Sequence, residues 1–253
     1  MNENPIGIFD SGIGGLTIVN ELKKRLPKEN YFYYADSKNC PYGEKSKEEL
    51  FEICSNIIEF LLEKKCKLII IACNTATTSC MKDLREKYPQ VPIVGIVPAI
   101  KVAYDHGKTN TLMMATPHTI KSERVKELVR DFKSNDQKMT LLSCYNLAPM
   151  IEEDNEEEIN LILENLFMPY KEENFDSIVL GCTHYPMIKH KIKNYFPNAE
   201  LIDGSVGISK EVERQLELNN LKNKNIENST MTFYNTKEEK NEKYYFDYLQ
   251  KLD

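Results

Sequence analysis

Short apolar runs alternate with stretches of helical periodicity along the chain. Nine apolar runs predict strands over residues 6–9, 31–35, 68–72, 93–97, 111–115, 139–142, 177–181, 200–202 and 231–234. Apolar residues recur at helical spacing over 48–64, 75–87, 122–132 and 155–170. Strands that alternate with helices indicate an α/β fold with mainly parallel sheets. Residues 68–72 are apolar on both faces, as a central parallel strand requires.

Nine strands are more than one sheet of this size usually holds, so we expect two sheets. No Pro-rich or Gly/Ser-rich linker separates two halves of the chain, so two domains would be joined by short crossings. Residues 218–229 are rich in Asn and Lys and lack periodicity, which predicts a surface connection. A last strand and an amphipathic helix over residues 237–252 follow.

Composition and charge exclude several classes of protein. The 253 residues suffice for one large or two small domains. A balance of 33 basic against 39 acidic residues argues against nucleic-acid binding through a basic face. The first ten residues lack the pattern of a signal peptide, and the most apolar run, 68–73, is far shorter than the roughly 20 residues that span a bilayer. Seven cysteines without a CxxC pair indicate a cytoplasmic protein with reduced thiols and no metal site.

One local pattern occurs twice. Residues 68–76 and 177–185 each combine a buried strand, a small residue, a cysteine and hydrogen-bonding residues that open a predicted helix. A cysteine between a strand end and a helix N-terminus has its thiolate favoured by the helix dipole. This position makes Cys73 and Cys182 candidates for chemistry. We interpret the other thiols at 54, 66, 80 and 144 as small buried apolar side chains.

A glycine-rich turn, Asp10-Ser11-Gly12-Ile13-Gly14-Gly15-Leu16-Thr17, follows the first predicted strand. Its N–H groups suit an anion such as a carboxylate. A dinucleotide site is the alternative, with Asp36 as the distal acid. However, Thr17 stands at the third glycine position, and the charge of Asp10 would repel a pyrophosphate. A purely structural turn is the third interpretation.

Two thiols at matched strand ends limit the chemistry. A cysteine hydrolase would use one thiol with a base such as His184 and leave the second idle. A disulfide redox couple stays open, although such pairs are usually close in sequence. Two acid/base groups on opposite faces of one carbon fit a racemase, in which one thiolate removes the α-proton and the other thiol delivers one. No lysine context indicates a pyridoxal Schiff base.

Four motifs together resemble the glutamate racemases of the aspartate/glutamate racemase family. They are the turn Phe9 to Thr17, Pro41-Tyr42-Gly43, Ala72-Cys73-Asn74-Thr75-Ala76 and Gly181-Cys182-Thr183-His184-Tyr185-Pro186. The resemblance implies cofactor-independent interconversion of L- and D-glutamate, which supplies D-glutamate for peptidoglycan. It also implies two similar α/β domains that face each other across the substrate, comprising residues 1–97 with 208–253 and residues 98–207. We further expect a cytoplasmic homodimer that binds neither nucleic acid nor membrane.

The same resemblance assigns site residues. It makes Cys73 and Cys182 the acid/base pair, assisted by Asp10 and His184 respectively. The implied substrate-binding residues are Asp10, Ser11, Tyr42, Gly43, Asn74, Thr75, Thr183 and His184, and further candidates are Asp36, Thr116, Thr119 and Glu152. By pattern alone, Glu152 is interpreted as an acid at the start of a helix.

One position departs from the family pattern, because His118 stands where glycine is common and leaves the local turn geometry open. Aspartate and hydantoin racemases share the two-cysteine logic and are the nearest alternatives. The presence of both cysteines disfavours a single-cysteine decarboxylase relative. From a different class, a binding or regulatory protein without catalysis is the remaining alternative, although such a protein would need neither thiol.

Overall fold

The structure is a computed structural model that describes residues 3–132, 136–224, 229–237 and 242–252. The strands in these residues are β1 Ile6–Asp10, β2 Tyr31–Ala35, β3 Leu68–Ile71, β4 Ile93–Gly95, β5 Asn110–Ala115, β6 Lys138–Ser143, β7 Ser177–Leu180, β8 Glu200–Ile202 and β9 Met231–Asn235. Each predicted strand is confirmed, and every end lies within two residues of the prediction.

Helices connect the strands. They are α1 Leu16–Arg25, α2 Lys47–Glu63, α3 Asn74–Lys87, α4 Ile100–Asp105, α5 Pro117–Lys121, α6 Glu123–Phe132, α7 Leu147–Glu152, α8 Glu156–Phe167, α9 Lys189–Tyr195, α10 Ser205–Leu218 and α11 Glu242–Leu252. The predicted helices over 48–64, 75–87, 122–132 and 155–170 correspond to α2, α3, α6 and α8. Part of the connection predicted over 218–229, and the start of the helix predicted from 237, lie outside the described residues. No helix in the described ranges has the length and apolar character needed to cross a membrane.

Two separate parallel sheets hold the strands, which confirms the predicted α/β class. The first sheet has the strand order β4-β3-β1-β2-β9, and the second has the order β6-β5-β7-β8. Every pairing is parallel. In the first sheet, Ile6 is in register with both Tyr31 and Leu68, so the carboxyl ends of β1, β2 and β3 reach the same edge. Residues just after these ends are therefore brought together.

The chain divides into two compact units. The first comprises Met1–Ile96 with Ser205–Asp253, and the second comprises Val97–Gly204. Within the first unit, β9 joins the sheet beside β2. Helices α1 and α10 also contact each other: Arg25 at the end of α1 donates to Ser209 of α10 at 3.0 Å and forms an ion pair with Glu213 at 3.3 Å. The C-terminal part of the chain thus completes the unit that the N-terminal part begins.

The local sequence explains the longest helix of the first unit. Ser46 accepts a hydrogen bond from the Glu49 N–H, and the Glu49 carboxylate accepts one from the Ser46 N–H, which forms a capping box at the start of α2. The buried face of α2 carries Leu50, Cys54 and Leu61 at helical spacing. This face packs into an apolar cluster with β3 and α3, and the cluster supports the strand that leads to Cys73.

Candidate active site

The carboxyl edge of the first sheet gathers most of the candidate residues of the first unit. The residues at or just beyond its strand ends, all buried, are Asp10, Ser11, Asp36, Cys73, Asn74 and Thr75. Tyr42 is also buried, and it begins a short 3-10 helix, Tyr42–Glu44, that includes Gly43. This 3-10 helix contacts α3. Residues that are distant in sequence are therefore concentrated at one edge.

Asp10 lies at the N-terminus of α1. One of its carboxylate oxygens accepts a hydrogen bond from the Gly15 N–H at 2.8 Å. A Cβ on Gly15 would lie 2.7 Å from the Tyr33 hydroxyl oxygen and 2.9 Å from the Asp10 Cβ, so only glycine fits here. The Gly15 N–H is therefore occupied by Asp10, and anion binding by the other N–H groups of this turn stays a prediction. A carboxylate at this helix terminus would also repel a pyrophosphate.

Cys73 caps α3 at the end of β3. The ladder continues to Ala72, whose N–H donates to the Phe9 carbonyl at 2.8 Å, and Cys73 follows as the N-cap residue. The 14-residue helix places its positive end at the thiol, which favours a negative charge on sulfur. Asn74 is 3% exposed, and its side-chain oxygen accepts no hydrogen bond from the described residues. This oxygen is therefore an unused acceptor at the edge where the candidate residues gather.

Cys182 follows β7 in the second unit. The Gly181 N–H donates to the Met114 carbonyl at 2.7 Å, which ties the end of β7 to β5. The segment after Cys182 is a 3-10 helix, Tyr185–Ile188, and α9 begins only at Lys189. Cys73 directly precedes an α-helix, whereas Cys182 precedes a 3-10 helix with Pro186 in its first turn. The prediction that both cysteines open the same kind of helix is therefore wrong for Cys182. The dipole of an α-helix does not serve this thiol.

His184, and not a helix N-terminus, is the electrostatic partner of Cys182. The Cys182 Sγ lies 3.8 Å from the His184 Nδ1, and the His184 Nε2 lies 2.9 Å from a carboxylate oxygen of Glu152. Burial of His184 opposes its positive charge, but its interactions with Cys182 and Glu152 outweigh burial and hold the pKa of His184 well above its ordinary value. The imidazolium can therefore stabilise a thiolate on Cys182 and donate a proton to it.

The position of Glu152 corrects one interpretation from the sequence. Glu152 is the last residue of α7, not an acid at a helix start. Its side chain is 10% exposed, and it reaches His184 across 32 residues of sequence. No local spacing signals such a contact, and only the family resemblance pointed to this residue.

Thr116 and Thr119 lie at the carboxyl end of β5. Thr116 caps the short helix α5 by accepting from the Thr119 N–H at 3.4 Å, and its hydroxyl donates to the Thr119 hydroxyl at 3.0 Å. His118 is accommodated within this helix, half-buried, and burial lowers its pKa. The backbone around His118, whose turn geometry the sequence did not settle, is therefore a short helix capped by Thr116.

The other predicted thiols lie in the core. Cys54, Cys66, Cys80 and Cys144 are all buried, which confirms their interpretation as small apolar side chains. Burial raises the pKa of Cys66 to about 12, and burial also raises that of Cys144 to about 12. All seven cysteines are thiols. In the described ranges, no group of three or more His, Cys, Asp and Glu side chains is placed to hold a metal ion.

Comparison with known proteins places this arrangement in a family. A model of the Asp/Glu/Hydantoin racemase family matches residues 16–206, a span that includes both strand-end cysteines. The chain belongs to this family.

Named relatives match the chain over nearly its whole length. It is 40% identical over 240 residues to a glutamate racemase of Clostridium perfringens (strain ATCC 13124), which covers 93% of this chain and 92% of the relative. The structure is similar to that of glutamate racemase from Francisella tularensis in complex with D-glutamate, with a TM-score of 0.85, 31% identity, and coverage of 99% and 95%. It is also similar to Escherichia coli glutamate racemase in complex with L-glutamate and the activator UDP-MurNAc-ala, with a TM-score of 0.84, 28% identity, and coverage of 98% and 95%.

Proposed function

We propose that this chain interconverts L- and D-glutamate without a cofactor, with Cys73 and Cys182 as the two acid/base groups. The observation that carries the proposal is the presence of two buried strand-end thiols, each with its own electrostatic support. The N-terminus of α3 favours negative charge at Cys73, and the ring of His184, whose pKa is raised, lies 3.8 Å from the Cys182 sulfur. The full-length likeness to glutamate racemases supports the choice of substrate.

The proton transfers balance in both directions. The Cys73 thiolate removes the α-proton of one enantiomer, and the electron pair of the C–H bond stays on the α-carbon and its carboxylate. The Cys182 thiol then donates a proton to the opposite face, which leaves Cys73 as a thiol and Cys182 as a thiolate. The reverse reaction exchanges these roles. This chemistry requires the two thiols to approach the α-carbon from opposite faces.

Flanking residues have supporting roles in this proposal. Asp10 assists Cys73, and His184, oriented by Glu152, assists Cys182. The α-ammonium and the two carboxylates of glutamate are bound by Ser11, Tyr42, Gly43, Asn74, Thr75 and Thr183, with Thr116 and Thr119 as further contacts. The open acceptor on Asn74 suits the ammonium group. Asp36 has an indirect role in substrate binding.

The biological role follows from the reaction. We propose that the chain acts in the cytoplasm as a homodimer and supplies D-glutamate for peptidoglycan synthesis and thereby for cell shape. Neither nucleic acid nor a membrane takes part.

A chiral assay tests the reaction. Purified protein is incubated with L-glutamate, D-glutamate, L-aspartate or D-aspartate, with no added cofactor and with a chelator present. Conversion of glutamate in both directions is the expected result. Faster conversion of aspartate would favour the aspartate racemases instead, and no conversion of any substrate would favour a binding protein.

Single-thiol variants test the assignment of the two cysteines. Cys73→Ala and Cys182→Ala should each abolish racemisation. Cys66→Ala is a matched control, since Cys66 is a buried thiol that precedes β3 and so lies at the opposite edge of the same sheet from Cys73. It should change stability at most, and circular dichroism of all three variants checks that they fold. Normal turnover in Cys182→Ala would overturn the assignment.

A further inference from the structure

The C-terminal strand of the first unit extends to the edge where the candidate residues gather. Thr236 directly follows β9, and its N–H donates to the Ala35 carbonyl at 3.1 Å, which continues the pairing with β2. Its hydroxyl accepts a hydrogen bond from the Lys38 N–H at 2.9 Å. A residue from the C-terminal part of the chain is thereby fixed beside the loop that follows β2.

The same hydroxyl reaches a buried carboxylate. Asp36 is 1% exposed, and the neighbouring Thr236 side chain helps to lower its pKa. Asn39 donates to both carboxylate oxygens at 3.0 Å, and the Tyr42 hydroxyl donates to one of them at 2.7 Å. Burial raises the pKa of Asp36, while these donors and the charge of Lys45 oppose the rise. The carboxylate is thus surrounded by donors from the protein itself.

Tyr42 connects the hydrogen bonds around Asp36 to the apolar cluster that contains Cys73. Its ring is 2% exposed and belongs to the same apolar cluster as Cys54 and Cys73. Burial raises the pKa of the Tyr42 phenol well above its ordinary value, and the nearby acidic groups add to the rise. The phenol therefore stays protonated at working pH and always donates to Asp36. Because Tyr42 begins the 3-10 helix that includes Gly43, its hydrogen bond fixes the start of that segment.

We propose that Asp36 and Thr236 are positioning residues that hold Tyr42 and Gly43 in place beside Cys73. The proposal rests on the proposed function in so far as Tyr42 and Gly43 bind glutamate. Asp36 then acts as an anchor between the C-terminal strand and the substrate-binding segment, and it transfers no proton. Asn39 lies only three residues after Asp36, whereas Thr236 comes from a distant part of the chain.

Thr236→Val tests the anchor because valine keeps the shape and the preference for extended backbone but lacks the hydroxyl. We expect the KM for glutamate to rise about tenfold, the equivalent of one hydrogen bond to a charged group. The pH profile of kcat should keep its shape, because no proton-transfer group has changed. Thr232→Val, at an exposed position on the same strand, is the matched control and should leave KM unchanged.

A double variant tests whether the effect passes through the phenol. In a Tyr42→Phe background, Thr236→Val should add little further loss, because both changes break one chain of contacts. An additive loss, or an unchanged KM in Thr236→Val alone, would overturn the proposal. A shifted pH profile of kcat in Asp36→Asn would assign proton transfer to Asp36 and would also overturn it.

A measurement that needs no turnover separates this proposal from the proposed function. In protein labelled with ¹³C-tyrosine, the Tyr42 ring signal is identified by its loss in Tyr42→Phe. It should shift in Thr236→Val and stay in place in Thr232→Val. If the wild type proved inactive on glutamate and the signal still shifted, the proposed function would fail and the anchor would stand. An unshifted signal would reject the anchor whatever the activity.

Discussion

Gly181 packs closely against the neighbouring strand and directly precedes Cys182. A Cβ added to it would lie 2.9 Å from the Met114 carbonyl oxygen, 3.0 Å from the Ala115 Cβ and 3.1 Å from the Met113 Cε. The Met114 carbonyl oxygen is a backbone atom of β5, and the Ala115 Cβ is bonded directly to that backbone, so neither atom can rotate away. Gly181→Ala must therefore push the end of β7 away from β5 and displace Cys182, the next residue.

The size of the effect follows from this geometry. Overpacking of a well-packed core by one methyl group typically costs about 1–3 kcal/mol of stability. Displacement of a reacting group by about 1 Å costs about 100-fold in rate. We therefore expect Gly181→Ala to lower the free energy of unfolding by about 2 kcal/mol. The contacts at 2.9 to 3.1 Å require a shift of less than 1 Å, so kcat should fall by less than this limit, on the order of tenfold. KM should change less, because most of the proposed binding residues lie elsewhere.

Urea unfolding and a chiral racemisation assay measure the two quantities on the same preparation. Gly207→Ala is the matched control: Gly207 lies within α10, and nothing lies within 4 Å of an added Cβ. Alanine has the higher helix propensity, so this control should gain about 0.5–1 kcal/mol and keep full activity. If Gly181→Ala matched the wild type in stability and turnover, close packing at Gly181 would not be what positions Cys182.

Two further predictions concern buried charge. The pKa of His184 is held well above its ordinary value, so its contribution to stability is fully present below about pH 6.5 and is lost as the pH rises through the folded-state value. The free energy of unfolding should fall over that range in the wild type and change less in Glu152→Gln, whereas parallel profiles would contradict this role of Glu152. Lys67 and Glu29 form a buried ion pair at 2.6 Å, so Lys67→Met should cost about 3–5 kcal/mol in urea unfolding by leaving an unpaired charge. Adding Glu29→Gln should recover much of this loss, and an equal loss in the double variant would refute the prediction.

The alternation of apolar runs and helical stretches was sufficient to predict the strands of both sheets. Their boundaries in the structure differ slightly, as for β4, which ends at Gly95 and not at Val97. Central parallel strands are apolar on both faces, so the pattern identifies them clearly, whereas hydrogen bonding sets where each one ends.

The sequence predicts the surroundings of Cys73 better than those of Cys182. The pattern after Cys73 predicted a helix start correctly, but the same pattern after Cys182 gives a 3-10 turn. The support for Cys182 comes instead from His184 and Glu152, and the latter contact joins separate elements of the second unit. Contacts of this kind depend on tertiary packing, so spacing along the chain cannot reveal them. The same holds for the hydrogen bond between the Lys38 N–H and the Thr236 hydroxyl.

The source of the proton delivered to the product tests the two-thiol mechanism most directly. Racemisation is started from each enantiomer of glutamate in heavy water, and the α-proton of substrate and product is followed by proton NMR at early times. If Cys73 and Cys182 act on opposite faces, the product should carry deuterium from a thiol already exchanged with solvent, while recovered substrate stays largely protiated. Substantial transfer of the substrate's own proton into the product, in both directions, would show that a single base acts and would contradict the two-thiol mechanism.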